Sequence, residues 1–246
     1  MIMSIDEKME QLREPRLWND GSEVSFSGNY IIIHNDERMF HTKFYIEKGN
    51  RKLPSDWYIA NTGSGTECVA DKLGLCNYGL SNGDGSCYCI KAERLYPDSL
   101  PCRRNNEKAW DKIVNNNFKS EFIYGLLLAS KQAKKNKMSV LRFNESGDIK
   151  NNQSLRAMDF VAYHLKQVGI PTTVYTHRWD MKLNLLFYNE NLVLNGSDFM
   201  LDNEFRVVDK FSGNNLKCCG DCGLCERIGR AYCTKKMGKV IEVIKH

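Results

Sequence analysis

The sequence predicts an α/β protein, a partial (β/α) barrel or an open parallel sheet, with an N-terminal β-hairpin and cysteine-rich metal-binding loops. From residue 138 onward, short β-branched or apolar runs alternate with an amphipathic helical stretch, the pattern of parallel strands linked by crossovers. Residues 24–46 have a different texture, dense in β-branched and aromatic side chains around a turn-like Asn35-Asp36, which reads as two strands of a hairpin. Ten cysteines gather mainly in two groups, one from Cys68 to Cys102 and one from Cys218 to Cys233. In a chain whose thiols stay reduced, such grouping points to metal.

The elements follow in order. Residues 3–13 set Met3, Ile5, Met9 and Leu12 among charged neighbours and stop before Pro15, a short helix. After the hairpin, glycines at 63, 65, 74, 79, 83 and 85 mark a long loop, whose length is explained if something binds it. Cys87-Tyr88-Cys89 opens a helix or strand leading to Tyr96 and Pro97. Helices are predicted at 106–116, with Ala109, Trp110, Ile113 and Val114 on one side, and at 118–134, with Phe122, Ile123, Leu126, Leu127 and Ala129. Lys131, Lys134, Lys135 and Lys137 complement the negative end of the second helix rather than form a nucleic-acid patch. Strand 138–143, helix 153–168 stopped by Gly169 and Pro171, strand 172–176, a short helix at 181–188 and strands at 192–194 and 205–208 complete the pattern.

With 246 residues the chain can bury one sizeable core. We divide it into 1–60, an N-terminal helix and hairpin extension, and 61–246, a cysteine-rich α/β domain with a C-terminal metal-binding segment. The net charge of +5 permits nucleic-acid contact without indicating it. Met-Ile-Met-Ser-Ile-Asp-Glu-Lys lacks the apolar centre of a signal peptide, and no run approaches the ~18 apolar residues of a membrane span. A cytoplasmic protein with no membrane partner is therefore expected.

The chemistry concentrates in Cys218-Cys219-Gly220-Asp221-Cys222-Gly223-Leu224-Cys225. From Cys219 the spacing is C-x2-C-x2-C, the three-ligand arc of a ferredoxin-type site; from Cys218 it is C-x3-C-x2-C, as in radical SAM enzymes. A zinc knuckle uses the same residues. Cys68, Cys76 and Cys87, flanked by polar residues or glycine, are candidate ligands, whereas Cys89 and Cys102 read equally well as buried apolar residues. In strand–helix folds ligands sit beyond the carboxyl ends of the strands. That makes Arg142, Glu145 and Asp148, in Arg142-Phe143-Asn144-Glu145-Ser146-Gly147-Asp148, candidate ligand-binding residues. Asp148 or Asn152 could alternatively cap the following helix. Arg103-Arg104, beside Cys102, is a candidate for neutralising an anionic cluster or a phosphate.

Together, Cys68, Cys76, Cys87-Tyr88, the 141–148 run ending in Ser-Gly-Asp, Val174-Tyr175-Thr176, Cys219-x2-Cys222-x2-Cys225 and His246 resemble a phage and archaeal-virus domain family named after "gene product eighty-eight". The resemblance covers about residues 60–246. It implies a viral or proviral protein distantly similar to the radical SAM partial barrel, with cysteines at both ends. The ten residues between Cys76 and Cys87 exceed the family's usual gap, and no N-terminal C-x3-C-x2-C is present, so conventional SAM cleavage does not carry over. The leading expectation is an iron–sulfur protein, holding a [4Fe–4S] cluster, with SAM or another small molecule as candidate ligand. The alternative is a zinc-stabilised nucleic-acid-binding protein. A cysteine-nucleophile enzyme is the third reading, although no activating base is identifiable beside any cysteine.

Overall fold

The computed structural model describes residues 2–50, 52–81, 83–181, 191–218 and 231–244. The chain opens with a reciprocal cap. Ser4 Oγ accepts the Glu7 N–H, and the Glu7 carboxylate accepts that of Ser4, starting helix α1 (Ile5–Leu12), which buries Met9 and Leu12. Strands β1 (Glu23–Ser27), β2 (Tyr30–Asn35) and β3 (Phe40–Tyr45) then form an antiparallel three-stranded sheet in that order. The expected hairpin is its β2–β3 half. The extra strand, Glu-Val-Ser-Phe-Ser, alternates Val24 and Phe26 toward the core, and Gly28 and Asn29, with φ of 55° and 67°, supply the positive-φ turn that joins it to β2.

The second sheet has eight strands: β4 (Glu47–Lys48), β5 (Trp57–Ala60), β6 (Val140–Phe143), β7 (Thr172–Thr176), β8 (Leu192–Ser197), β9 (Asn203–Val208), β10 (Leu216–Lys217) and β11 (Lys239–Ile244). Their order is β4-β5-β6-β7-β8-β9-β11-β10, and every pairing is parallel except β4 with β5. The α/β class and the mostly parallel sheet agree with the expectation. From β5 to β9 the strands lie side by side in chain order, so the loops leaving their carboxyl ends form one continuous rim. The helix expected at 181–188 lies almost entirely outside the described residues; only a 3-10 turn, Trp179–Met181, reaches it.

Helices α2 (Val69–Lys72), α3 (Tyr88–Leu95), α4 (Ser99–Asn115) and α5 (Lys119–Gln132) all lie between β5 and β6, and α6 (Asn152–Lys166) joins β6 to β7. Helix α5 packs on β1 and β2 on one side and on α1 and α6 on others, which is why it is apolar around most of its circumference. At Gly125 a Cβ would lie 2.3 Å from Ile31 Cγ2, so the glycine lets the small sheet approach the helix. No helix among the described residues is long and apolar enough to cross a membrane.

The two faces of the large sheet differ. Tyr58, Ala60, Leu141, Phe143, Val174, Leu192 and Leu194 point into the main core shared with the helices. On the opposite face, Trp57, Ile59 and Val140 form a small apolar cluster with Leu53, against which Cys233 packs. Alternation of side chains along strands then puts Arg142, Thr173, Tyr175 and Asn195 on that face. A 3-10 turn, Tyr232–Thr234, lies across it: Thr173 Oγ1 and Asn195 Nδ2 donate to the Cys233 carbonyl at 2.8 and 3.0 Å, and Asn203 Nδ2 donates to that of Lys235 at 2.8 Å.

Candidate metal and ligand site

Two loops at the rim are stitched to each other. The backbone N–H and Oγ1 of Thr62, just beyond β5, donate to Asn144 Oδ1 at 3.0 and 2.8 Å, and the Ser146 N–H, beyond β6, donates to Asn61 Oδ1 at 2.8 Å. Gly147 has φ of 76°, and a Cβ there would lie 2.7 Å from the carbonyl carbon of Gly63. Only glycine allows both the left-handed backbone and this approach. Glu93 of α3 fastens the same loops from below. One carboxylate oxygen accepts from the Gly65 N–H at 2.7 Å, Arg103 at 2.9 Å and Ser146 Oγ at 3.2 Å, and the other from the N–H and hydroxyl of Thr66. Burial alone would raise this carboxyl, but the hydrogen bonds from Thr66, Gly65 and Arg103 outweigh it and hold it below its ordinary value.

The first cysteine group grows out of this scaffold. Cys68 and Cys87 sit at the N-terminal ends of α2 and α3, and buried Asp71 shapes the loop carrying Cys76 by accepting the N–H groups of Leu80 and Ser81 at 2.9 Å each. The Cys87 N–H closes the loop on the Tyr78 carbonyl at 2.9 Å. Cys68 and Cys76, and Cys76 and Cys87, are close enough for charge on one thiol to disfavour charge on its neighbour, and Asp148 acts on Cys68 and Cys76 in the same way. Each sulfur faces backbone donors: Asp71 and Ala70 for Cys68, Tyr78 for Cys76, and Ile90 and Cys89 for Cys87. Burial beside Asp148 pushes the Cys68 thiol up to about 12. A hydrogen bond from the Cys89 thiol, helped by N–H groups, lowers Cys87 to about 6.

Thiols are the ligand type that a thiophilic metal takes. N–H groups directed at sulfur stabilise thiolates, and a bound cation offsets the burial penalty that keeps Cys68 protonated. Among the described residues, no three His, Cys, Asp or Glu side chains close around one point at metal-binding distance. The thiols of Cys68, Cys76 and Cys87 are therefore neighbours rather than a closed ligand cage.

Of the second group, Cys218 follows β10 and donates its N–H to the Glu242 carbonyl at 2.8 Å, while Cys219, Cys222 and Cys225 lie outside the described residues, as does His246. Cys233 shares a hydrogen bond with the Tyr175 hydroxyl, and Cys218 is near enough to act electrostatically on both. Cys89 is 5% exposed and shares its one thiol proton between Cys87 and the Glu145 carbonyl 2.9 Å away. Cys102 is half-buried on α4.

The predicted ligand residues separate into two roles. Asp148 accepts from Thr176 Oγ1 at 2.5 Å and from the N–H groups of Ile149 and His177 at 2.7 and 2.8 Å, so it ties the β6 loop to the end of β7. It does not cap α6; Asn151 does, accepting the Ser154 N–H at 2.9 Å. Burial raises the Asp148 carboxyl and lowers the facing His177, whose Nε2 is buried without a partner among the described residues. Arg142 and Glu145 point elsewhere, toward the polar face of the sheet. The Arg142 guanidinium lies 4.6 Å from the Tyr175 ring centroid, and Tyr88, Glu145 and Cys233 are also near enough to act on its charge. Tyr88 donates to the Glu145 carbonyl at 2.6 Å yet stays 57% exposed. Neither arginine of the 103–104 pair is free for an anion: Arg103 is paired with Glu93 and Arg104 with Glu67.

Glu93, Asp71 and Glu47 escaped the sequence reading. Each is a carboxylate in an unremarkable charged stretch, and only its burial marks it. Glu47 is raised to about 7 by burial and by Glu145, against the pull of Arg103 and Arg142.

The class defined so far is an α/β protein with a thiol-bearing rim at the carboxyl ends of a parallel sheet and an arginine on the sheet face below it. No family model, curated protein or solved structure matches the chain.

Proposed function

We propose that the protein is an iron–sulfur protein of viral or proviral type, built on a radical-SAM-like partial barrel, with the N-terminal thiols of Cys68, Cys76 and Cys87 and the C-terminal thiols of Cys218, Cys219, Cys222 and Cys225 as ligands. One observation supports the reading: three cysteines from the loop after the first parallel strand are neighbours at the rim, and every one of their sulfurs faces backbone N–H donors. Such donors tune the potential of a cluster and stabilise its thiolates. Seven candidate thiols also exceed the four that one structural zinc takes. A [4Fe–4S] cluster would supply one-electron redox or radical chemistry. SAM is the candidate small molecule for the rim beside Glu145 and Asp148.

The test is the metal content of protein purified without oxygen. Iron and sulfide in equal amounts, with broad absorption near ~400 nm, support the reading. Cys87→Ser and Cys222→Ser are each expected to lower bound iron and thermal stability, because ligation contributes folding free energy. Colourless protein with stoichiometric zinc sinks the proposal in favour of a zinc-stabilised nucleic-acid-binding protein.

A further inference from the structure

Arg142 is the least explained charge in the molecule. It stands in the middle of a parallel strand, between Leu141 and Phe143, both fully buried in the main core, and its own side chain emerges on the other face. Its Nε is buried with no hydrogen-bond partner among the described residues. Among the described residues, no carboxylate reaches ion-pair distance of the guanidinium. The nearby Glu145 is instead bonded through Oε1 to Asn50 Nδ2. What Arg142 does have is the Tyr175 ring at 4.6 Å.

The magnitudes do not balance. A cation–π contact contributes about 2 kcal/mol at best, and the buried Nε side of the guanidinium has no counter-charge among the described residues to offset its desolvation. Lysine could escape by losing its proton; arginine cannot. The surroundings also suit a ligand. The residue is only half-buried, so small molecules reach it, and Tyr88 stands exposed nearby with its hydroxyl anchored on the Glu145 carbonyl. The floor is fixed, since Thr173 on the adjacent strand β7 and Asn195 on β8 beyond it are bonded to the Cys233 carbonyl. A guanidinium whose Nε has no partner among the described residues, held on a sheet strand, is suited to a planar or tetrahedral oxyanion.

We propose that Arg142, with Tyr175 beneath it and Tyr88 at its edge, binds the carboxylate or phosphate of a small anionic ligand on the face of the sheet opposite the main core. The site does not depend on the metal reading, because none of its contacts is a proposed ligand.

The experiment titrates the full-length protein, as purified, with inorganic phosphate and separately with malonate, at constant ionic strength in chloride, by calorimetry. At least one of the two is expected to bind, and the tighter one tells a phosphate ligand from a carboxylate ligand. Arg142→Gln is expected to weaken binding by at least about tenfold, and Arg142→Lys by less, because a point charge replaces a fork of donors. A measurement on the unmodified sequence guards against a variant that fails to fold: reaction of Arg142 with an arginine-specific dicarbonyl, followed by mass spectrometry, is expected to slow when the binding anion is present. The proposal is overturned if neither anion binds, if Arg142→Gln binds as tightly as the parent, or if the anion leaves the dicarbonyl reaction unchanged. Loss of iron in Arg142→Gln without any oxyanion binding in the parent also overturns it, and assigns the guanidinium to the cluster. Iron content alone decides the metal reading, so the two ideas fail separately.

Discussion

Glu93 shows how much of the rim hangs on one carboxylate. It is 6% exposed and gathers the Gly65 and Thr66 amides, two hydroxyls and Arg103, joining α3, α4 and the loops after β5 and β6. Glu93→Gln keeps the shape but places an amide where only acceptors fit and leaves Arg103 without its counter-charge. A loss of about 1–3 kcal/mol is expected in chemical denaturation. Glu47 makes a different statement. Its folded-state value of about 7 lies above the ordinary 4.5, so the native protein holds this proton through an interval in which the unfolded chain has released it. Its contribution to stability is full below pH 4.5 and drains away as the pH rises to about 7. Glu47→Gln is expected to flatten the stability profile over that interval and to leave the variant more stable than the parent at pH 8, by roughly 1–2 kcal/mol once partial exposure is discounted. Denaturation midpoints at half-unit pH steps check this, and an unchanged slope counts against it.

At the scale of elements, α5 is held between the small sheet and α6, and its one glycine is a fitting rather than a flaw. Alanine at position 125 gains about 1 kcal/mol of helix propensity, yet its Cβ would meet Ile31 at 2.3 Å. Overpacking costs about 1–3 kcal/mol, so Gly125→Ala is expected to destabilise, and the Gly125→Ala/Ile31→Ala double variant to lose less than the sum of the two single losses. Elements with a clean period were legible in the sequence: α5, α6, β6 and β7 were expected within a few residues of where they lie. Two of the strands that were not expected broke the rules of pattern. Trp57–Ala60 is buried on both faces and too short to alternate, and Lys239–Ile244 carries Glu242, a buried carboxylate that accepts from the Ser212 amide and Asn215 and so resembles a surface residue only in sequence. The same division holds for the site. Polar or glycine flanks and the strand-end loop made Cys68, Cys76, Cys87, Arg142 and Asp148 candidates, and the structure has Asp148 bracing β7. Nothing local announced Glu93, whose partners lie on segments far away in the chain.

For the molecule as a whole, a helical layer stands between a small antiparallel sheet and a large, mostly parallel one, so the thiols and Arg142 occupy the far side and the upper edge of the latter. Most of that edge comes from neighbours in sequence, because β5 to β9 are laid down side by side. The exception is β10, which pairs with β11 alone, while β11 fills the place between β10 and β9. Folding therefore has an order built into it. Residues 216–217 have no strand to join until 239–244 have zipped onto β9, and the amide of Cys218 finds its acceptor, the Glu242 carbonyl, only then. During synthesis, Cys68, Cys76 and Cys87 can be in place while Cys218 still waits for β11, so the described thiols at the two ends of the sheet become fixed at different times.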